Sequence, residues 1–329
     1  MSTLGVSFTD AALEARVSAG VDEVERQLVA AVDSPSRLVA EAAAHLLNAG
    51  GKRFRPLLVM LAAEFGDPSR PEVANSAVVV ELTHLATLYH DDVMDEADIR
   101  RGAPSANSRW GNSVAILVGD FLFAQASDLV SDLGPDAVRI QARTFSRLVQ
   151  GQIRETIGPD ETEDALAHYL GVVADKTGSL IATAARFGAM MAGASDDVQE
   201  TLTEFGERIG AAFQLADDVI DVASETGDSG KTPGTDLREG VPTLPTLIAL
   251  RSTDDASARL RELLSKPLTD DAEHAEALAL LRVHPAIAEA RSYVQAEADA
   301  AGVLLAKLPD SPARAALQEL CDTVATRLG

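Results

Sequence analysis

Cysteine is almost absent from this chain. Cys321 is the only one in 329 residues, which excludes an intrachain disulfide and any zinc site built on cysteine. Lysine is nearly as scarce: Lys52, Lys176, Lys231, Lys266 and Lys307 are the full set. With 28 basic residues against 51 acidic ones, the net charge is −23. That balance argues against nucleic acid and against anionic membrane surfaces as main partners. It leaves room for small anions held by local cations or metal ions. Aromatic residues make up only 4% of the chain, while alanine and leucine abound, which favours helices over sheets. No run of about 18 apolar residues free of charge occurs, so no transmembrane helix is expected. The stretch MSTLGVSFTDAALEARVSAG lacks a basic region followed by an apolar core, so no signal peptide is expected and the protein is read as cytoplasmic.

What is present is helical spacing. In TLTEFGERIGAAFQLADDVID, the apolar positions Leu202, Phe205, Ile209, Phe213, Ala216 and Ile220 recur at three- and four-residue steps. Ala77 to Leu88 is apolar nearly all round, the mark of a central helix. Period-two strand patterns are hard to find. Turn chemistry falls at Gly66 to Pro71, Gly134-Pro135, Gly158-Pro159, Gly193 to Asp197 and Ser224 to Pro245. None of these breaks resembles an interdomain linker, and no internal repeat appears. The expectation is one all-α domain over residues 1–329, with a motif-bearing core at about 45–250 and C-terminal helices at about 251–329.

Two acidic clusters share one pattern. HDDVMD supplies Asp91, Asp92 and Asp95, and LADDVID supplies Asp217, Asp218 and Asp221. Each D-D-x-x-D ends an apolar helical stretch and puts two carboxylates, four residues apart, on one helix face. Such pairs repel when left alone. Oxygen ligands at this spacing suit Mg²⁺, which keeps several waters and takes one or two carboxylates plus substrate phosphates. A solvated acidic face would explain one cluster, but it does not explain two with identical spacing. Cations occupy NAGGKRFRP (Asn48 to Pro56), DKTGSL and SGKTPGTDLREG. The first is no Walker A loop, because Leu46 and Arg53 stand where glycine and Ser or Thr are required. A glycine-stopped helix C-terminus with basic residues near the dipole is its plainer reading. His84, seven residues before Asp91, and His90 would each, taken alone, be read as packed core residues.

Together, GGKRFRP, HDDVMDEADIRRG, KTGSL, FQLADDVID and GKTPGTDLREG, in this order, resemble the trans-isoprenyl diphosphate synthases (polyprenyl synthetase family), most closely the actinobacterial long-chain members. The resemblance implies a helical bundle of the isoprenoid synthase type around a central apolar cavity. It implies a homodimer that condenses isopentenyl diphosphate with an allylic diphosphate by ionisation, condensation and elimination. Carried over by position, Asp91, Asp92, Asp95, Asp217 and Asp218 would bind Mg²⁺, with three ions per site, and Asp221 would join them through water. Arg100, Lys176 and Lys231 would contact the allylic diphosphate, and Lys52, Arg55, His84 and Arg101 would hold isopentenyl diphosphate. Thr177 and Gln214 would face the reacting carbons. Val241 departs from the family, which often has a lysine after LREG; the allylic side then lacks one cation unless Arg238 substitutes.

In the family, bulky residues four or five positions before the first acid motif stop chain growth. Thr87 and Ala86 are small, and Leu82, Val79 and Val78 lie deeper on the helix. A helical turn rises about 5.4 Å, close to the length of one isoprene unit. The implied product is therefore long, about C35 to C45, such as the side-chain precursor of menaquinone. Tyr89 is the one ring in this stretch that could lean into the tunnel. A shorter-chain farnesyl or geranylgeranyl synthase is the alternative. A class I terpene cyclase has one such aspartate motif and no isopentenyl site, and a non-catalytic partner subunit tends to lose a motif. The chain keeps both.

Overall fold

A computed structural model describes residues 8–223 and 233–327. Among these residues the chain forms sixteen α-helices and a single two-residue hairpin, so the expected helical class holds. Contacts divide the chain into two compact units. The first runs to Phe145 and takes in Leu180–Gly206 and Leu304–Glu319; the second comprises Ser146–Ser179, Glu207–Val303 and the stretch from Leu320 onward.

In the first unit the helix Pro71–Met94 is the centre. Pro71 sits at its first turn, where a missing N–H costs nothing. Its neighbours are the helices Ala11–Ala31, Phe54–Ala63 and Asn112–Ser131. Val73, Ala77, Val78, Val79, Val80, Leu82, Leu85, Ala86 and Tyr89 are all buried, as the all-round apolar pattern of this segment requires. The Arg37–Asn48 helix stops before Gly50, whose φ of +89° suits glycine. GGKRFRP therefore follows a helix end, and its arginines begin the next helix, Phe54–Ala63. By length and composition, Asn112–Ser131 could cross a membrane, with a mean hydropathy of 1.5; it carries Asp120 and Asp128. Here it lays Ala115, Val118, Leu122, Ala126 and Val130 into the unit's core and packs on Pro71–Met94.

In the second unit the helix Leu244–Leu250 packs against Ala165–Val173, Ala258–Leu264 and Asp271–Val283. Thr243 and Thr246 form a reciprocal capping box at its start. Helix Ala165–Val173 runs into a π-helical turn, Ala174–Gly178, that contains Lys176 and Thr177. Single π turns inside helices are rare and concentrate at functional sites. Asp221 lies two residues before Ala223 on the long helix Asp196–Ala223.

Candidate active site

Both acid motifs lie in the C-terminal part of their helices, and the first reaches the last turn, where the macrodipole is negative and a carboxylate is least welcome. On the central helix, His84, Thr87, Leu88 and Asp91 form one partly exposed stripe at helical spacing, while Leu82, Leu85 and Ala86 between them are buried. Asp95 caps this helix, its N–H donating to the Asp91 carbonyl at 2.8 Å, and its side chain is exposed. Asp92 is buried. Arg100 Nε donates to its Oδ1 at 2.6 Å, while Oδ2 is buried with no hydrogen-bond partner. Burial holds the Asp92 carboxyl above its ordinary range, and the Arg100 charge only partly offsets this. Tyr89 does not lean along the open stripe. Its hydroxyl donates to the Ala42 carbonyl at 2.5 Å and accepts from Leu46 N at 3.3 Å, which ties the ring to the helix Arg37–Asn48.

Arg100 and Arg101 are aimed by the hairpin, in which Ile99–Arg100 pairs with Ala103–Pro104. Both turn residues, Arg101 and Gly102, have positive φ, as a two-residue type I′ turn demands. Arg101 reaches the Leu46 carbonyl at 2.9 Å and also donates to the Gly50 carbonyl. Besides Arg101, the described non-glycine residues at positive φ are Arg53 and Glu96. All three lie in the motif segments, where strain of about 1–3 kcal/mol per residue is characteristic of functional loops.

Arg53 is buried and ion-paired with Glu25 and with Glu81, the latter at 3.2 Å. Beside it, Arg55 has a buried Nε without a hydrogen-bond partner, and burial lowers its pKa to about 10 despite the Glu81 charge. His84 is pushed well below its ordinary pKa by burial and then by Arg55, Arg101, Arg100 and Arg53. It is therefore a neutral imidazole in a cationic corner. Lys52 is exposed. The acid at the centre of this cluster, Glu81, is one that sequence reasoning missed. Its signal was a lone carboxylate inside the apolar run Ala77 to Tyr89. Glu81→Ala would leave the buried Arg53 with Glu25 alone. Loss of one partner of a buried pair costs about 3–5 kcal/mol, and with Glu25 remaining the lower end is expected, to be read by urea unfolding.

In the second unit, Asp218 is buried and both its oxygens accept hydrogen bonds. Gln214 Nε2 donates to Oδ1 at 3.0 Å, and the Tyr169 hydroxyl donates to Oδ2. Burial pushes the Asp218 pKa up to about 6 against these two donors. Thr177 Oγ1 donates to Gln214 Oε1 at 3.2 Å, so the three side chains form a directed relay that ends on the carboxylate. Asp217 faces Arg327 at 3.2 Å, and that guanidinium lies 4.9 Å from the Phe213 ring centre. The C-terminal tail, which carried no usable motif in the sequence, thus supplies a counter-ion to the second motif. Lys176 pairs with Glu155 at 2.5 Å, and Asp175 beside it binds Arg147 at 3.0 Å. Gly151 permits this layer, because a Cβ there would come within 2.9 Å of the Lys176 backbone nitrogen. Arg238 is engaged with Asp271 at 2.8 Å. Lys231 lies outside the described residues.

Among the described residues, no group of three or more His, Cys, Asp or Glu side chains closes on a common point. The donor sets fit a hard cation nonetheless. Asp92 Oδ2 is a buried acceptor without a partner, and Mg²⁺ needs only one or two carboxylates when phosphates and water complete its shell. The sites in both units use oxygen donors at helix ends with cations nearby, the equipment of an all-helical protein that handles diphosphates with metal.

The comparisons agree. The polyprenyl synthetase family model matches residues 36–281. The chain is 52% identical over 326 residues to a nonaprenyl diphosphate synthase of Mycobacterium tuberculosis, covering 99% of this chain and 97% of that one. A crystal structure of a geranylgeranyl pyrophosphate synthase from Corynebacterium glutamicum, complexed with calcium and isoprenyl diphosphate, superposes with TM-score 0.89 at 47% identity, covering 98% of this chain and all of that one (100%). A decaprenyl diphosphate synthase from Rhodobacter capsulatus does so with TM-score 0.87 at 33% identity, covering 96% and 98%. The chain belongs to the polyprenyl synthetase family.

Proposed function

We propose that the protein is a prenyltransferase that condenses isopentenyl diphosphate with an allylic diphosphate to make a long all-trans polyprenyl diphosphate of about C35 to C45. The observation that carries this reading is the pair of D-D-x-x-D motifs, each in the C-terminal part of a long helix. Residues 1–329 would act as one catalytic domain. Asp91, Asp92, Asp95, Asp217 and Asp218 would hold three Mg²⁺, with Asp221 acting through water. When bound, the metal supplies positive charge against the departing diphosphate.

The chain's own groups supply the rest. Arg100, Lys176 and Lys231 bind allylic diphosphate oxygens, and Lys52, Arg55 and Arg101 bind those of isopentenyl diphosphate by charge-assisted hydrogen bonds. Neutral His84 adds an N–H donor without further repulsion among the arginines. The Thr177 hydroxyl donates a hydrogen bond to Gln214 Oε1, so its lone pairs are left to face the allylic cation. The proton lost on elimination passes to the released diphosphate, and no side-chain base is required.

A long product is supported by the small side chains at Ala86 and Thr87 and by the nonaprenyl and decaprenyl names of relatives. Use of that product in menaquinone side chains belongs to the same proposal. So does a homodimer, supported by exposed Ile116 and Leu117 on the helix Asn112–Ser131. The net charge of −23 supports small-molecule partners rather than nucleic acid, and the setting proposed is the cytoplasm.

The deciding experiment is incubation of the chain alone with isopentenyl diphosphate, an allylic primer and Mg²⁺, followed by phosphatase treatment and reversed-phase chromatography. Elongated prenols support the proposal. A cyclised hydrocarbon would make the protein a terpene cyclase, and no product without a second chain would make it a partner subunit. Lys52→Ala and Arg55→Ala are each expected to raise KM for isopentenyl diphosphate by about 10-fold or more, the worth of a hydrogen bond to a charged group. KM for the allylic substrate should change little; equal rises for both substrates would refute the assignment.

A further inference from the structure

We propose that Tyr169 is a positioning residue of the second acid motif, fixing the Asp218 carboxylate in the orientation that receives the metal. The inference rests on the metal role proposed above for Asp218. Its basis is that Asp218 is gripped from two directions by two different elements. Gln214, one turn earlier on the same helix, donates to Oδ1 at 3.0 Å. Tyr169 comes from the separate helix Ala165–Val173 and donates to Oδ2.

A carboxylate held at one oxygen can still swing about its Cβ–Cγ bond. Held at both oxygens, from a neighbouring turn and from another helix, it cannot. Gln214 and Tyr169 each occupy a lone-pair direction on a different oxygen, and with the Leu244 backbone N–H they determine where the remaining sites point. Asp92 in the first unit shows the contrast: Arg100 holds one oxygen and the other has no partner. The two motifs share a sequence pattern but differ in how their central carboxylate is held, and Tyr169 makes the difference. Tyr169 also stands seven residues before Lys176 on the same helical run, so the helix that positions the carboxylate continues into the π turn carrying Lys176 and Thr177. Groups that orient a ligating side chain in this way are typically worth 10–100-fold in metal affinity.

The test is Tyr169→Phe in the full-length chain, which removes the hydroxyl and keeps the ring. Mg²⁺ is titrated calorimetrically in the presence of inorganic diphosphate, and unfolding is followed separately without metal. Weakening of Mg²⁺ binding by about 10–100-fold is the expected result, together with a matching rise in half-saturating Mg²⁺ for turnover and an unchanged KM for isopentenyl diphosphate. A hydroxyl of purely structural value would lower the unfolding midpoint without moving Mg²⁺ affinity. Asp218→Asn separates the two levels of the argument. If Asp218→Asn weakens Mg²⁺ binding and Tyr169→Phe does not, the positioning role is overturned and the proposed function stands. If neither weakens it, the metal role of Asp218 falls as well, and with it this inference.

Discussion

Asp91→Ala and Asp217→Ala are each expected to lower turnover by about 10²–10³-fold, the scale seen when one stabiliser of developing charge is removed. The expectation follows from position as well as residue type. Asp91 lies in the last turn of the helix Pro71–Met94, and Asp217 lies six residues before Ala223 on the helix Asp196–Ala223. At Asp91 the charge opposes a dipole worth about 0.3–1 kcal/mol. Asp217 has Arg327 at 3.2 Å as a counter-ion, and metal ions would add positive charge at both motifs. Substitution by alanine should leave the helices intact, so circular dichroism should be unchanged while kcat collapses. EDTA should abolish activity of the unmodified protein with the same retention of helix. A variant of either residue that turns over at near the wild-type rate with Mg²⁺ would show that the motif has another purpose.

Thr87→Phe is expected to shorten the product from about C35–C45 to about C15–C20, since each helical turn of about 5.4 Å corresponds to roughly one isoprene unit. Thr87 lies on the partly exposed stripe of the central helix, one turn before Asp91, and its hydroxyl is turned back to the His84 carbonyl at 2.8 Å. A ring there would project along the path of a growing chain. Ala86 is fully buried, so Ala86→Phe must first overcome about 1–3 kcal/mol of overpacking. It should reduce stability more than Thr87→Phe and shorten the product only as far as its ring displaces the wall. Chromatography of the prenols from both variants distinguishes the two positions. An unchanged product from an active Thr87→Phe enzyme would remove the open stripe from the path of the chain.

Much of this was legible in the sequence because it is periodic or local. Leu202, Phe205, Ile209 and Ala216 are buried on Asp196–Ala223, as their spacing required, and both acid motifs fall at the helix ends where the apolar pattern stops. The hairpin at Ile99–Arg100 was not legible, since a two-residue strand is too short to show alternation. Nor was the π turn at Ala174–Gly178, which has no compositional signature and arises from packing. Glu155, Tyr169 and Arg327 were missed for a third reason. Their roles are set by partners at a sequence distance, Lys176 for Glu155, Asp218 for Tyr169 and Asp217 for Arg327. The fold brings each pair together, and neither member alone carries a pattern.

The positive-φ residues Arg53, Glu96 and Arg101 carry backbone strain, and at the two arginines the side chain offsets it. Each occupies a backbone conformation that glycine would adopt with about 1–2 kcal/mol less strain. At Arg101 glycine would relieve that strain but forfeit the hydrogen bonds that the guanidinium donates to the Leu46 and Gly50 carbonyls. The same exchange would remove a guanidinium that the proposed reaction needs at the isopentenyl diphosphate. A library of this protein sorted only by unfolding temperature would therefore retain Arg53 and Arg101, because the side chains that strain these segments also tie them down.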